Sequence, residues 1–228
     1  MKPCTHCAKP HDGLFALCID CIDAIQSQHR SSEEKTAKQQ RHAAKSAEWQ
    51  HLCPLDYRKT DWTDPRLSPI CAELAKTWWP AWDQEERGLG IVGTTGLGKT
   101  RAAYAILQRL HFAGIPVLAI DSISFARAAS NYHDDDKIEK SSARDLLRRA
   151  QTTKILLLDD IGKEPATPRA ASALHELLEL RNRNHLPLIW TTERSGDDLA
   201  PMFGTNYADG IIRRLRGNHQ IANLNPTV

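Results

Sequence analysis

The stretch Gly93-Thr94-Thr95-Gly96-Leu97-Gly98-Lys99-Thr100 limits what this chain can fold into more than any other. It has the form Gly, any four residues, Gly, Lys, then Ser or Thr, which is the phosphate-binding loop. Glycines let successive backbone N–H groups turn inward without a Cβ clash, which makes a concave nest for phosphate oxygens. A helix opening directly from the loop adds its unpaired N–H groups and the positive end of its dipole. In such a nest Lys99 reaches the β- and γ-phosphates, and the Thr100 hydroxyl ligates Mg²⁺. The flanks agree: Leu89 to Val92 reads as a short buried strand, and Arg101 to Phe112 as a helix with Ile106, Leu107 and Leu110 on one face. Gly93 through Thr100, with Arg101, are therefore the candidate residues for binding a nucleoside triphosphate.

A second motif supplies what the loop lacks. Ile155-Leu156-Leu157-Leu158-Asp159-Asp160 places four apolar residues before two carboxylates. Four such residues in a row predict a central strand buried on both faces. Its C-terminal end is where open α/β sheets hold ligands. Asp159 suits the Mg²⁺ shell, directly or through water, and Asp160 suits polarising an attacking water. The strand pattern recurs at Ile115–Ile120, at Leu186–Thr192 and at His219–Leu224, with a helical pattern over Pro168–Asn184 and shorter ones over Asp197–Phe203 and Asp209–Arg216. The strand over Leu186–Thr192 ends in Thr191 and Thr192, followed by Glu193, polar groups placed to orient water or sense a γ-phosphate. Alternating strands and helices predict an α/β fold, a central parallel sheet flanked by helices.

The N-terminal region follows other rules. Cys4-x-x-Cys7 and Cys18-x-x-Cys21 are two knuckles ten residues apart, a tetrahedral thiolate set suited to Zn²⁺. Pro10, His11, Asp12 and Gly13 between them are turn chemistry. His6 or His11 stand as alternative ligands, and disulfides or an iron–sulfur cluster are the competing chemistries. Ile22 to Gln50, free of Pro and Gly, reads as an exposed helical linker whose Arg30, Lys35, Lys38, Arg41 and Lys45 give it a basic side. The expected organisation is a zinc-binding domain over 1–25, a helical linker over 26–52 and a nucleotide-binding domain over 53–228.

Several features set bounds on function. A formal net charge of +2 over 228 residues gives no global attraction to nucleic acid, so any such site must come from local clustering. No apolar run approaches the roughly eighteen residues needed to span a bilayer, and an apolar signal-peptide core is missing at the N-terminus; a cytoplasmic protein with no membrane partner is expected. Trp62, Trp78, Trp79 and Trp82 precede the loop and read as packing beneath the nucleotide domain, and Cys53 and Cys71 as buried hydrophobes. Between Asp121 and Ala150, Phe125, Arg127, Tyr132, Arg144, Arg148 and Arg149 surround a loop containing Asp134, Asp135 and Asp136. Basic and aromatic residues so mixed can hold single-stranded nucleic acid, and an ordinary solvated helix face has the same composition. Arg213, Arg214 and Arg216 close the last predicted helix.

In order and separation, the phosphate loop, the Leu-Leu-Leu-Asp-Asp-Ile-Gly strand, the Thr-Thr strand end and Ile-Ile-Arg-Arg-Leu resemble the AAA+ ATPases of the DnaC/DnaI/IstB clade, over about Cys53 to Leu224. The lead-in Cys53-Pro-Leu-Asp-Tyr-Arg58 is similar to that clade's as well. The resemblance implies ATP as the nucleotide, Lys99, Asp160, Thr192 and Arg214 as catalytic residues, and Asp159 with Thr100 on Mg²⁺. Thr192 takes the sensor-1 position, and Arg214, with Arg216 as alternate, the finger that reaches a neighbouring subunit's nucleotide; a homo-oligomer on ATP binding follows. It places a single-stranded DNA element in the Asp121–Ala150 connection. A zinc-bearing N-terminal region resembles the helicase-docking domain of some helicase loaders, which implies a hexameric replicative helicase as partner. The alternatives are a transposition helper that binds duplex DNA and a transposase, or an adaptor that binds nucleotide without hydrolysing it. Glu193 stands where the clade has Asn, and no arginine follows the last strand, so the lid is expected to be reduced or absent and hydrolysis slow.

Overall fold

The computed structural model describes residues 1–12, 16–85, 88–132, 136–217 and 219–224; the side chains of His11 and of residues 79–85 also lie outside the description. Gly13, the segment 133–135 and the side chains of His11, Trp79 and Trp82 from the sequence reading therefore fall outside the description. The chain divides into two compact units, Met1–Glu48 and Trp49–Val228.

The first unit holds a minimal antiparallel ribbon, β1 (Lys2–Pro3) paired with β2 (Pro10–His11), and most of α1 (Ile19–Leu52). Its buried hydrophobic cluster consists of Cys4, Cys18 and Cys21, with Leu17 packed against them. Past the knuckles α1 is exposed almost throughout, as a stretch of Gln, Ser, Lys, Glu and Ala with no apolar stripe must be.

The second unit begins with the last turn of α1 and runs through a short 3₁₀ turn, Leu55–Tyr57, into α2 (Pro69–Glu85). Then come β3 (Gly88–Val92), α3 (Lys99–Ala113), β4 (Val117–Asp121), α4 (Ser122–Asn131), α5 (Lys137–Thr152) and β5 (Ile155–Asp159). The rest is α6 (Pro168–Arg183), β6 (Leu188–Thr192), the short α7 (Gly196–Leu199), α8 (Gly204–Gly217) and β7 (His219–Asn223). The five longer strands form one sheet in the order β4-β5-β6-β3-β7, every pair parallel. From β3 the chain crosses over β6 and β5 to reach β4, so the crevice at the C-terminal ends of β3, β6 and β5 is the topological switch point.

Strand alternation divides the core between the two faces of this sheet. Ile155 and Leu157 pack with Leu89, Ile91, α2 and α3, where Trp78, Cys53 and Cys71 are also buried; Leu156 and Leu158 pack with α4, α6 and α8. Deleting a β5 leucine side chain costs about 2–5 kcal/mol.

Helix starts are set by capping. Asp136 accepts hydrogen bonds from the backbone N–H groups of Ile138 and Glu139, which starts α5 at Lys137. Thr167 caps α6 through the Ala170 N–H, with Pro168 in the first turn. Arg181 on α6 is fully buried and donates to the carbonyls of Ala150, Thr153, Lys154 and Pro187, at 2.7, 2.9, 3.2 and 2.5 Å. It ties the end of α5 to the entries of β5 and β6.

Candidate nucleotide site and cysteine cluster

The phosphate loop leaves β3 at the switch point. Gly96 and Gly98 have φ of +86° and +84°, where side-chain-bearing residues are strained. At Gly98 a Cβ would also meet the Arg66 carbonyl oxygen at 3.1 Å, because the segment before α2 lies across the loop. Lys99, buried to 6% exposure, turns back to donate to the Thr94 carbonyl at 2.9 Å. Burial holds its ammonium below the usual lysine value, with Glu193 and Asp160 opposing.

Across the crevice, Asp159 Oδ1 accepts from Thr100 Oγ1 at 3.0 Å and from Thr191 Oγ1 at 2.6 Å. Burial pushes the Asp159 carboxyl up despite these two hydroxyls. A buried carboxylate with neutral partners is stabilised by an added cation, so Thr100 and Asp159 fit Mg²⁺. Asp160 adopts φ +59°, an uncommon conformation for a residue other than glycine, pinned by its N–H on Thr191 Oγ1 (2.8 Å) and its carbonyl on Ser122 Oγ (2.7 Å). This turn aims the Asp160 side chain into a cavity of about 350 Å³, which Thr95, Gly96, Gly98, Lys99, Thr100 and Arg101 also line. Lys99, Thr100, Arg101, Asp159 and Asp160 are thus brought together.

Thr192 faces elsewhere. Side chains alternate along a strand, so Thr191 and Glu193 face the phosphate loop while Thr192 donates to the Ile161 carbonyl at 2.6 Å and lines a neighbouring cavity with Arg194 and Leu199. Arg214 lies with Gly88, Leu188 and His219 at the entering ends of the strands, opposite the phosphate loop. It is ion-paired with Glu179 and donates to the Gly210 carbonyl at 2.9 Å. It therefore shares no cavity with Lys99, Thr100 and Asp160 of its own chain.

In the first unit the Sγ atoms of Cys4, Cys7, Cys18 and Cys21 lie within 4.8 Å of one another. Zn–S bonds of about 2.3 Å in a tetrahedron put sulfurs about 3.8 Å apart, and Cys7 and Cys18 are at 3.6 Å. The backbone N–H groups of Cys7 and Cys18 hold the Cys4 thiol well below its ordinary value, at about 5. All six cysteines are free thiols. The four fit a zinc site.

A family model described as "IstB-like ATP binding protein" matches residues 18–225. The chain belongs to that family. Replicative helicase loader DnaI of Bacillus subtilis (strain 168) is 29% identical over 118 residues, 51% of this chain and 36% of the loader, so the chain matches about a third of that relative's length. A crystal structure of DnaI superposes with a TM-score of 0.63 at 19% identity, over 75% of this chain and 94% of that one. The DnaC helicase loader superposes with a TM-score of 0.60 at 20% identity, over 75% and 99%. The AAA+ fold is shared with both.

Three further residues of this IstB-like chain reach the site. Tyr57 stacks on Tyr104 with ring centroids 5.0 Å apart, beneath the Arg101 guanidinium. Arg66 lines the cavity and pairs with Asp64 at 2.7 Å. Lys163 bridges Asp160 and Glu193. The lead-in Cys-Pro-Leu-Asp-Tyr-Arg was the one available signal for Tyr57; the other two depend on loop geometry. Among the described residues, no helix is long and apolar enough to cross a membrane.

Proposed function

We propose that this protein is an ATP-dependent helicase loader of DNA replication. It binds ATP with Mg²⁺ at the phosphate loop, hydrolyses it slowly to ADP and phosphate, and docks on a hexameric replicative helicase that it releases according to nucleotide state. The observation that carries the reading is the meeting of Thr100 with Asp159, and of Lys99 with Asp160, around one cavity at the switch point. Mg²⁺, when bound, neutralises phosphate charge and fixes the triphosphate's orientation. Lys99 and the loop N–H groups bind and orient the phosphates, Thr100 and Asp159 hold the metal, and Asp160 orients a water and accepts its proton. Thr191, in contact with both acidic residues, is the positioning hydroxyl; Thr192 supports the turn behind it. Arg214, freed from Glu179, serves a neighbouring subunit, so the active form is a homo-oligomer.

Single-stranded DNA has a candidate seat in a cavity of about 710 Å³ between α4, α5 and α6, with Tyr132, Arg144, Arg148 and Arg169 in its walls. Aromatic and guanidinium groups together suit stacked bases and phosphates. The four-cysteine unit, holding Zn²⁺, is the helicase-docking element. Most of it precedes the family match at residue 18, which favours a loader over a transposition helper. The helper reading draws on the family's own description.

A pull-down with replicative helicase, in ATP and in ADP, tests the proposal. Helicase and single-stranded DNA retained in one nucleotide state and released in the other support it. Capture of duplex DNA and a transposase with no helicase selects the helper. Lys99→Ala is expected to lower ATP turnover at least a hundredfold, and turnover already at that level in the wild type selects the non-hydrolysing adaptor.

A further inference from the structure

One ammonium group spans the mouth of the nucleotide cavity. Lys163 Nζ lies 2.9 Å from Asp160 Oδ2 and 3.0 Å from Glu193 Oε1. The same Glu193 oxygen accepts from Thr95 Oγ1 at 2.8 Å. The turn after β5, the end of β6 and the phosphate loop are thus joined through Lys163 and Glu193.

The charges make this arrangement more than a surface ion pair. Hydrogen bonds from Lys163 and Thr95 hold Glu193 below the usual carboxylate value, so it is ionised beside a loop built for phosphate. An uncompensated carboxylate there repels a triphosphate more than a diphosphate, because the terminal group adds charge. Lys163 removes that repulsion while it stays near. Of the other cations lining the cavity, Lys99 rests on the Thr94 carbonyl within the loop, Arg66 is paired with Asp64, and Arg101 with the Asp56 carbonyl, Thr60 and Asp64. Of the cations lining the cavity, Lys163 is the one paired with two carboxylates that also line it. Its side chain is 43% exposed on a flexible stem.

We propose that Lys163 is the residue by which this chain distinguishes ATP from ADP: it rests on Asp160 and Glu193 in the absence of a terminal phosphate, and moves to that phosphate when it is present. The move leaves Asp160 free to take a proton from water, which couples recognition of the intact nucleotide to readiness for hydrolysis. Glu193 is the counter-charge that returns the lysine afterwards. The inference rests on the nucleotide-binding reading of the loop.

The test is equilibrium binding of Mg-ADP and of a non-hydrolysable Mg-ATP analogue to the full chain, by calorimetry. Losing one charge-assisted contact predicts that Lys163→Met weakens the analogue about tenfold and changes ADP less than about twofold. Glu193→Gln strengthens the analogue several-fold and leaves ADP unchanged. In the double variant, with neither charge present, the analogue-to-ADP ratio returns to within about threefold of wild type, the non-additivity expected of groups that act as a pair. Equal effects of Lys163→Met on both nucleotides, or none on either, overturn the proposal, as does a Glu193→Gln variant that weakens the analogue. Lys99→Ala separates this failure from a deeper one. If it binds both nucleotides as wild type does, the nucleotide site is misread. If it loses both while Lys163→Met keeps the wild-type ratio, only the role of Lys163 falls.

Discussion

The two units of this chain reach order by opposite physical routes. The second buries two apolar layers on either side of a five-stranded sheet, so its stability is divided among many side chains. In the first, three thiols and Leu17 make up the buried apolar cluster among the described residues, too little to offset the conformational entropy of the segment. A packed unit loses stability in increments as contacts are removed. A unit closed by four convergent ligands stands or falls with the set. That contrast is what the predictions below are meant to break or sharpen.

The largest effect belongs to the first unit. Structural zinc supplies on the order of 10 kcal/mol of folding free energy to small domains. Strong chelators, or Cys18→Ser, are expected to abolish order in the knuckles and to bring zinc content below half an equivalent. The second unit's melting temperature should move by less than about 3 °C. Zinc below half an equivalent in wild-type protein purified without chelator would remove the premise, and a shared melting transition would remove the contrast.

The second unit's counterpart is Arg181. Four carbonyls take its hydrogen bonds, and burial pushes its guanidinium down to about 9. Truncation to Ala leaves buried carbonyls at the end of α5 and the entries of β5 and β6 without donors. A loss of about 3–5 kcal/mol is expected in urea unfolding, with zinc content unchanged. A loss under about 1 kcal/mol would mean that water satisfies those carbonyls instead.

Arg181 also shows what the sequence could not convey. From its spacing with Leu174, Leu177 and Leu178 it belongs to the apolar stripe of α6, but nothing local says that four carbonyls from three other segments surround it. Contacts within one motif were readable: the phosphate loop, the apolar run of β5 and the paired knuckles each carry their chemistry in consecutive residues. The choice between Thr191 and Thr192 was readable in principle, since strand alternation puts 191 and 193 on one face, but it needed the register of β6 against β5. The bridge from Lys163 to Glu193 spans thirty positions and needs the left-handed turn at Asp160, which no propensity announces. Arg214 fits its motif, while its partner Glu179 sits on another helix.

A smaller effect concerns pH. Burial depresses His219 to about 4, and its Nε2 atom has no hydrogen-bond partner among the described residues. In the unfolded chain the imidazole takes a proton near its ordinary value of 6.5. Between about 4 and 6.5 the unfolded state therefore binds more protons than the native one, and stability rises with pH. The contribution is complete above 6.5, falls by about 1.4 kcal/mol per pH unit below it, and totals about 3 kcal/mol lost by pH 4. Asp159, raised by burial, contributes in the opposite sense, so the comparison is between wild type and His219→Gln. The variant should flatten this part of the pH–stability curve of the second unit. An unchanged slope would place the titration elsewhere.

The smallest predicted loss of stability is at Thr191, and it tests whether the packed unit really yields in increments. Thr191→Val keeps the shape and removes one hydroxyl that donates to Asp159 and accepts from the Asp160 N–H. Leaving that N–H unpaired costs about 1–2 kcal/mol, small beside the effect expected of Cys18→Ser in the first unit. Thr192→Val removes a bond to the Ile161 carbonyl and should cost a similar amount. The two differ in function. Without Thr191 the Asp159 carboxyl loses a hydrogen bond that favours its charged form, so Mg²⁺ affinity in the presence of nucleotide should fall about tenfold, whereas Thr192→Val should leave it within about twofold. Equal losses of Mg²⁺ affinity in the two variants would mean that the hydroxyls act only through the fold, and the positioning role would pass from Thr191 to the strand as a whole.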